Sequence, residues 1–551
     1  MADIDERGSA QALEDWQRWS TTARGRVPAS WAAELRRDPL LTRARVVVDV
    51  VFGREHRVIA SSSPMRCSTL GGQIREVVPW LVGDAEPDLS EDVEPGNAEP
   101  SGRSIAFTLP GDLVKPLRLR QRRRPFVGYG EVSLAFHGML WEDRIVHVRG
   151  PCSGRILAGD DDEPVQFTIS DPTVGGAAIP AWVLDTTRWD ELASTSKGER
   201  VPLVVGIGRV PCLRVRTSVG GGNDDFLVGY GTLVADAVLL EGVANANSST
   251  VTTTDGRGLP VTLLRWTNSD AVADFASVYA RVHAADAATL GMFGAMKKIL
   301  RDFGRVDPSR ISDRLFADAE TRAGTVGISS GSRTSPLIVI NEPVGALEYI
   351  TGTLCQDYPW ISIGWDGPGV GPIVVDHRSK PVAKLAVGTY PLLGRAEGAL
   401  YEWLPTDDLV TRVVLRYDYQ PALDVYDEIE YRGPRNSDLC AEALRIRGEE
   451  REVTIDAVTI GDASTAAYTA DWIVEHLSRP ACDVVVDAYP TAYFTLRVGD
   501  PVRWTDPDHG MDDEEAILVS RRWSSGHVEL ALRIWPKVWQ GMTGASFAAS
   551  P

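Results

Sequence analysis

Residues 481–507, ACDVVVDAYPTAYFTLRVGDPVRWTDP, and residues 517–536, ILVSRRWSSGHVELALRIWP, decide how the rest of the chain is read. Phe494, Leu496 and Val498 alternate with polar residues, as do Val528, Leu530, Leu532 and Ile534. That period of two is the mark of half-buried strands. Gly499-Asp500-Pro501 interrupts the first run, because glycine accepts the positive φ of a tight turn and proline fixes the residue after it. Ser524-Ser525-Gly526 reads as the loop of a hairpin. The whole stretch predicts a twisted antiparallel sheet and carries no catalytic signature.

Working upstream, LIVIN (337–341) reads as a strand and PVGALEYITGTLCQDYP (343–359) as a helix. WISIGW (360–365), GPIVVDH (371–377), LVTRVVLRYDYQP (409–421) and DEIEYRG (427–433) read as strands, and Asn436–Arg447 as a short helix or turn. A helix is predicted over Ser464–Leu477, capped near Asp462 or Ser464, with Tyr468, Trp472, Ile473 and Leu477 on one face and Pro480 as its stop.

A helix ending near Pro480, a strand, the LRVGDPVRWTDP turn, an acidic loop and a final hairpin together resemble the C-terminal module of bacteriophage tail proteins. The match is to the baseplate-hub or tail-tip hub family of contractile- and flexible-tailed phages and of gene-transfer particles. It covers about the last two-fifths of the chain well and the rest loosely, and it is a pattern of elements rather than a motif. The resemblance implies a homotrimeric ring at the distal end of a virion tail, in which two tube-like β domains per chain imitate a sixfold ring. Its partners would be further copies of itself, a distal tail or tail-tube protein above and a spike or fibre protein below, with DNA only in transit. It implies no enzyme activity, cofactor or metal.

The chain has 551 residues, which predicts three or four domains. Its net charge is −19. Phosphate contacts need clustered Lys and Arg, so a dedicated nucleic-acid surface is disfavoured, whereas a negative lumen suits passing DNA. Six dispersed cysteines with no C-x-x-C read as buried small hydrophobes rather than a metal site. The N-terminus shows no basic and apolar signal pattern, and no apolar run is long enough for a membrane span. Synthesis in the host cytoplasm, no membrane anchor and a final place in the virion tail are the expectation.

The expected architecture is α+β and mainly β, with several antiparallel barrel or sandwich domains and a helical segment near the middle. Residues 1–40 form an N-terminal arm whose Trp16, Trp19 and Trp31 pack either on a neighbour or on the chain's own domain. Residues 41–195 form a first β domain around ARVVVDVVFG, RSIAFTL, YGEVSLAFHGMLW and RIVHVRG. Within it Gly83–Arg103 is acidic and Pro-rich, and is expected to bury nothing. Arg118, Arg120, Arg122, Arg123 and Arg124 follow as candidate charge contacts within or between chains, with phosphate as the alternative. Residues 196–268 read as a small β-barrel with GGGNDD (220–225) as a hairpin tip. Residues 269–335 read as helical, from Val272, Phe275, Val278, Tyr279 and Val282 at helical spacing, through MFGAMKKIL, to a start at Asp307-Pro308. Residues 336–551 form C-terminal α+β domains.

Sites of chemistry are few. Gly327-Ile328-Ser329-Ser330-Gly331 matches G-x-S-x-G but lacks the strand-to-helix context of a nucleophile elbow. Asp506–Glu515 is rich in carboxylates without EF-hand spacing and reads as a solvated loop that folding does not need, as does Asp160–Glu163. Gly367–Gly371 lacks the Lys-Ser/Thr of a phosphate loop and reads as a turn. His377, beside Asp376, is the one histidine placed to act as a general base. The alternative to a hub is a tail protein that binds or cleaves host polysaccharide, for which the 16 tryptophans offer sugar-binding faces.

Overall fold

The computed structural model describes residues 29–37, 44–52, 56–81, 87, 89–93, 104–111, 126–155, 164–170, 178–186, 189, 192, 194–216, 224–241, 243–244, 248–254, 260–266, 277–284, 290–325, 336–396, 401–524 and 527–537. The architecture is mainly β, with helices clustered in the middle and the C-terminal part. A short helix α1 (Ala29–Arg37) precedes the first sheet. Trp31 on it is fully buried, donates its indole N–H to the Asp143 carbonyl at 3.0 Å, and packs between Phe136 and Phe494. Of the two sequence alternatives for this tryptophan, packing on the chain itself is the one found. Trp16 and Trp19 lie outside the described residues.

The first sheet contains β1 (Ala44–Phe52) and β2 (His56–Ala60), while β3 (Leu89–Asp92) lies in the last sheet. It continues with β4 (Ser104–Leu109), β5 (Phe126–Phe136), β6 (Ile145–Arg155) and β7 (Val165–Ser170), in the order β2-β1-β5-β6-β7-β4. β1 is a β-branched run buried on both faces, which suits a central strand. Its buried charge, Asp49, is held by Arg57, whose Nε donates at 2.7 Å.

A smaller β unit follows. Its strands are β8 (Ile207–Pro211), β9 (Leu213–Arg216), β10 (Asp224–Tyr230), β11 (Leu233–Leu240), β12 (Ser248–Thr254), β13 (Pro260–Trp266) and β14 (Val278–Ala284). One sheet runs β8-β14-β11 with Val243–Ala244 at its edge, the other β9-β10-β13-β12, around Val210, Phe226, Leu264, Trp266 and Val282. β14 corrects the helical reading of 278–282. Val278, Ala280, Val282 and Ala284 are buried in alternation, and the two alanines carry the strand period that the larger residues alone obscured. Asp224 and Asp225, read as part of a hairpin tip, instead begin β10 and are buried against Arg214 and Arg265.

Helices α2 (Met292–Lys298) and α3 (Asp313–Thr325) flank a 3-10 turn, Pro308–Arg310, which Asp307 caps through the Ser309 N–H at 2.8 Å. The hairpin β15 (Ile361–Asp366) and β16 (Gly369–Val374) packs beneath α3. β17 (Ala383–Ala386) and β18 (Leu392–Arg395) lead to β19 (Arg412–Gln420), β20 (Val425–Arg432), α4 (Asp438–Arg447), β21 (Glu452–Asp456) and α5 (Ala463–Leu477). α5 lies on the sheet β20-β19-β21, capped by Asp462 through the Thr465 N–H at 2.9 Å. It buries Ala466, Ala470, Trp472 and Ile473, whereas Leu477, expected on that face, is 41% exposed at the helix's last position.

The last sheet takes β22 (Cys482–Ala488), β23 (Pro501–Asp506), β24 (Met511–Ser524) and β25 (His527–Trp535) into the order β17-β23-β24-β25-β22-β18. Val528, Leu530, Leu532 and Ile534 all point inward and are fully buried, as their alternation predicts. Residues 490–495 depart from the strand reading and form α6 (Pro490–Thr495), with Pro490 at its start and Phe494 buried. Three alternating residues were too short a run to separate the two periods.

One hydrophobic core joins the first and last sheets, running from Val46, Val148 and Phe167 to Trp504, Trp523 and Leu530. Residues 89–93 of the acidic stretch enter this arrangement, contrary to expectation. β3 pairs antiparallel with β24, with Leu89 opposite Trp523 and Asp92 opposite Ser520, and Leu89 and Val93 are buried. The alternation of Leu89 and Glu91 was diluted by the composition around it. A second core gathers Phe293, Trp360, Leu415, Trp472 and their neighbours under α5.

Candidate functional site

The turn Val498-Gly499-Asp500-Pro501 is the point where three elements are fastened. Gly499 sits at φ +80°, and a Cβ there would meet the Ile373 side chain at 2.3 Å, so the backbone approach requires glycine. Asp500 is fully buried, accepts the Arg497 N–H at 2.9 Å and pairs with Arg322 of α3. Arg322 also donates to the Gly499 carbonyl at 3.0 Å. A buried carboxylate is tolerated only when so satisfied.

A second polar cluster lies where β16, α5 and the last sheet meet. His476 donates from Nδ1 to the Trp472 carbonyl at 3.0 Å, which leaves Nε2 as an acceptor for His377 Nδ1 at 3.1 Å. His377 Nε2 then accepts from Arg479 Nη1 at 3.3 Å. Arg479 continues to Glu515 at 3.0 Å and to the Trp535 carbonyl at 3.1 Å. The ring of His377 stacks on Trp535, with centroids 4.3 Å apart. Both imidazoles are therefore neutral, each with both nitrogens engaged. Burial, the other histidine and Arg479 hold His377 well below the ordinary imidazole value, and burial takes His476 down to about 3 against the pull of Asp376. Burial would raise the Asp376 carboxyl, but Arg378, with the Tyr468 hydroxyl adding to it, holds it below its usual range.

Asp376, His377 and His476 converge closely enough to be considered as metal ligands. The four ring nitrogens are already spent on a directional relay, and the His377 side chain is fully buried. No external substrate reaches that imidazole as it stands, so the sequence candidate for a general base is a packing element. His476 is 99 residues away from it, and only the Asp376-His377-Arg378 run of charges hinted at the cluster.

The acidic run 506–515 is not a solvated loop. Asp506 is fully buried and accepts the Tyr401 hydroxyl at 2.6 Å. Pro507–His509 is a single 3-10 turn, and Met511 already begins β24. Glu514 is buried and accepts the Lys537 N–H at 2.6 Å, and Glu515 is held by Arg479. Two of the six carboxylates, Asp506 and Glu514, are turned inward, which a count of charges does not reveal. Gly367–Gly371 is the turn between β15 and β16 and its continuation, as expected. Ser329, Asp160–Glu163 and the arginines 118, 120, 122, 123 and 124 lie outside the described residues.

The seam between the first and last sheets carries a buried ion pair that sequence reasoning missed. Arg521 of β24 donates to Glu91 of β3 at 2.9 Å and to the Leu496 carbonyl at 2.8 Å, and its guanidinium lies 4.5 Å from the Tyr493 ring centroid. His147 of β6 stands 3.6 Å from the same Glu91 carboxylate. By contrast, a cavity of about 320 Å³ separates the small β unit from the C-terminal part. Tyr279, Tyr349, Tyr419 and Asn341 line it with Arg209, and among the described residues no Asp or Glu does. Arg209 bridges this seam, donating to the Asp418 and Tyr419 carbonyls at 3.0 and 2.6 Å and pairing with the Asp418 carboxylate at 2.9 Å.

All six cysteines are free and buried. Burial pushes the Cys67 thiol up to about 11 and those of Cys152, Cys212 and Cys482 to about 12, so none of these four is a ready nucleophile. Among the described residues no helix is long and apolar enough to cross a membrane.

No family model and no curated protein matches the chain. Solved structures do. The tail protein from Neisseria meningitidis MC58 is similar at 13% identity and a TM-score of 0.38, over 89% of this chain and 97% of that one. The 43 kDa tail protein of prophage MuSo2 from Shewanella oneidensis is similar at 10% identity and a TM-score of 0.36, over 90% and 98%. A chain of the virion of a native gene transfer agent particle is similar at 14% identity and a TM-score of 0.39, over 67% and 92%. In each of the three, what this chain is similar to is a tail protein or a component of a virion.

Proposed function

We propose that the chain is a structural subunit of a phage-type tail, acting as a trimeric hub at its distal end. In this role it joins the tail tube to spike or fibre components and forms part of the channel through which DNA leaves. The observation that carries the reading is the pair of β-sheets, first and last, each of at least six strands and fused through one core. Two such sheets in one rigid chain supply six segments from three copies, which is what a threefold adaptor to a sixfold tube requires. The polar clusters point the same way, since the buried charges described above are spent on fastening segments to one another. A net charge of −19 supports a passage to which DNA does not adhere.

Of the polysaccharide alternatives, cleavage needs two carboxylates about 5–10 Å apart across a cleft. The cavity beside Arg209 has none among its described lining residues, though its tyrosine faces accommodate a sugar ring. Electron microscopy of the particle, with this chain labelled, tests the hub reading. Label on the axis at the distal end is expected. Label on peripheral fibres away from the axis would overturn the hub and leave sugar binding.

A further inference from the structure

We propose that Asp487, His527 and Glu529 form a zinc-binding site on the outward face of the last sheet. β22 and β25 are neighbouring interior strands, and their register sets Asp487 directly opposite Glu529. Like charges opposed in this way repel across a sheet. His527 lies two residues before Glu529 on the same strand, so its ring stands on the same face. Its Nε2 is 3.0 Å from Asp487 Oδ1 and 4.0 Å from Glu529 Oε1, and the three ligand atoms all lie within 4.8 Å of one another. Ligand atoms around a tetrahedral zinc, each about 2.0–2.1 Å from the metal, are roughly 3.3–3.5 Å apart. The observed separations bracket that value, and small rotations of partly exposed side chains close the difference.

The contrast with the buried histidines is what makes this trio the candidate. There every ring nitrogen is committed to a neighbour inside the protein, and the His377 side chain is sealed from solvent. Here the groups are reachable, with His527 at 45% side-chain exposure. Glu529 meets Arg522 through Oε2 at 3.4 Å, and its Oε1 lies 4.0 Å from the histidine Nε2. One imidazole and two carboxylates suit zinc better than calcium or magnesium, which prefer oxygen alone. Three protein ligands leave a fourth position for water or for a donor from another molecule. The ligands stand on strands rather than loops, which fixes their spacing.

The test is calorimetric titration of the full chain with zinc chloride, after chelator treatment and desalting. One zinc per chain with micromolar affinity is expected. His527→Ala and Asp487→Asn, both at accessible positions, are each expected to raise Kd by more than about tenfold. A melting temperature that rises with zinc in the unaltered chain but not in His527→Ala is the matching readout. No saturable heat would overturn the site, and so would binding undiminished in His527→Ala, which would place the metal elsewhere.

Discussion

The two seams of this molecule are built differently. Where the first and last sheets meet, a strand is exchanged, a tryptophan is inserted and a buried ion pair is closed, all on one continuous core. Where the small β unit meets the C-terminal part, Leu203 and Val204 pair with Ile340 and Val339 in a two-residue ladder, and beside it a cavity of about 320 Å³ opens next to Arg209. The first seam packs two sheets on one core, while the second rests on a short ladder beside an open cavity.

The comparison is broken most directly at Arg521. Arg521→Ala leaves Glu91 buried without its partner and is expected to remove about 3–5 kcal/mol, read from urea denaturation of the full chain. A loss under about 1 kcal/mol would mean that the pair is solvated and the seam is not welded. Leu530→Ala, at a fully buried site in β25, is expected to remove about 2–5 kcal/mol. An unchanged midpoint there would contradict the register of the last hairpin.

The histidine relay, where β16 and α5 meet the last sheet, adds a pH dependence. His377 and His476 are neutral when folded, with values below the unfolded one of about 6.5. Below that pH the unfolded chain takes up protons that the folded chain refuses. Stability is therefore complete above it and falls as the pH drops toward the folded value of His476, about 3. Each imidazole contributes a slope approaching about 1.4 kcal/mol per pH unit. Denaturation midpoints between pH 7.5 and 4.5 should fall less steeply in His476→Gln, and an identical slope would contradict the neutral relay.

The smallest effect is expected at the other seam. Arg209→Ala should shift global stability by only about 1 kcal/mol, because the ladder of Leu203–Val204 on Val339–Ile340 still holds the two parts together. It should nevertheless speed proteolytic cutting or hydrogen exchange around Asp418 and Tyr419, whose carbonyls it releases. A large global loss would show that the two seams are alike.

Much of the last sheet was legible, because Val528–Ile534 and the Gly499 turn state their geometry in residue type and period. The misreadings share a cause. Ala280 and Ala284 are small, Leu89 stands alone among acids, and Glu514 and Asp506 sit in a run of carboxylates, so composition masked which face each one takes. The buried clusters were illegible for a different reason. Arg521 with Glu91, and His377 with His476, are partners separated by 430 and 99 residues, and nothing local announces a contact that only the folded sheets create.

The fusion of two sheets into six ring segments is the central claim, and a threefold-averaged electron-microscopy map of the assembled tail tip tests it most directly. The account predicts three chains around an axial opening wide enough for duplex DNA, with the first and last sheets alternating around it. A map in which only one of the two sheets borders the opening, or in which the chains do not close around the axis, would contradict it.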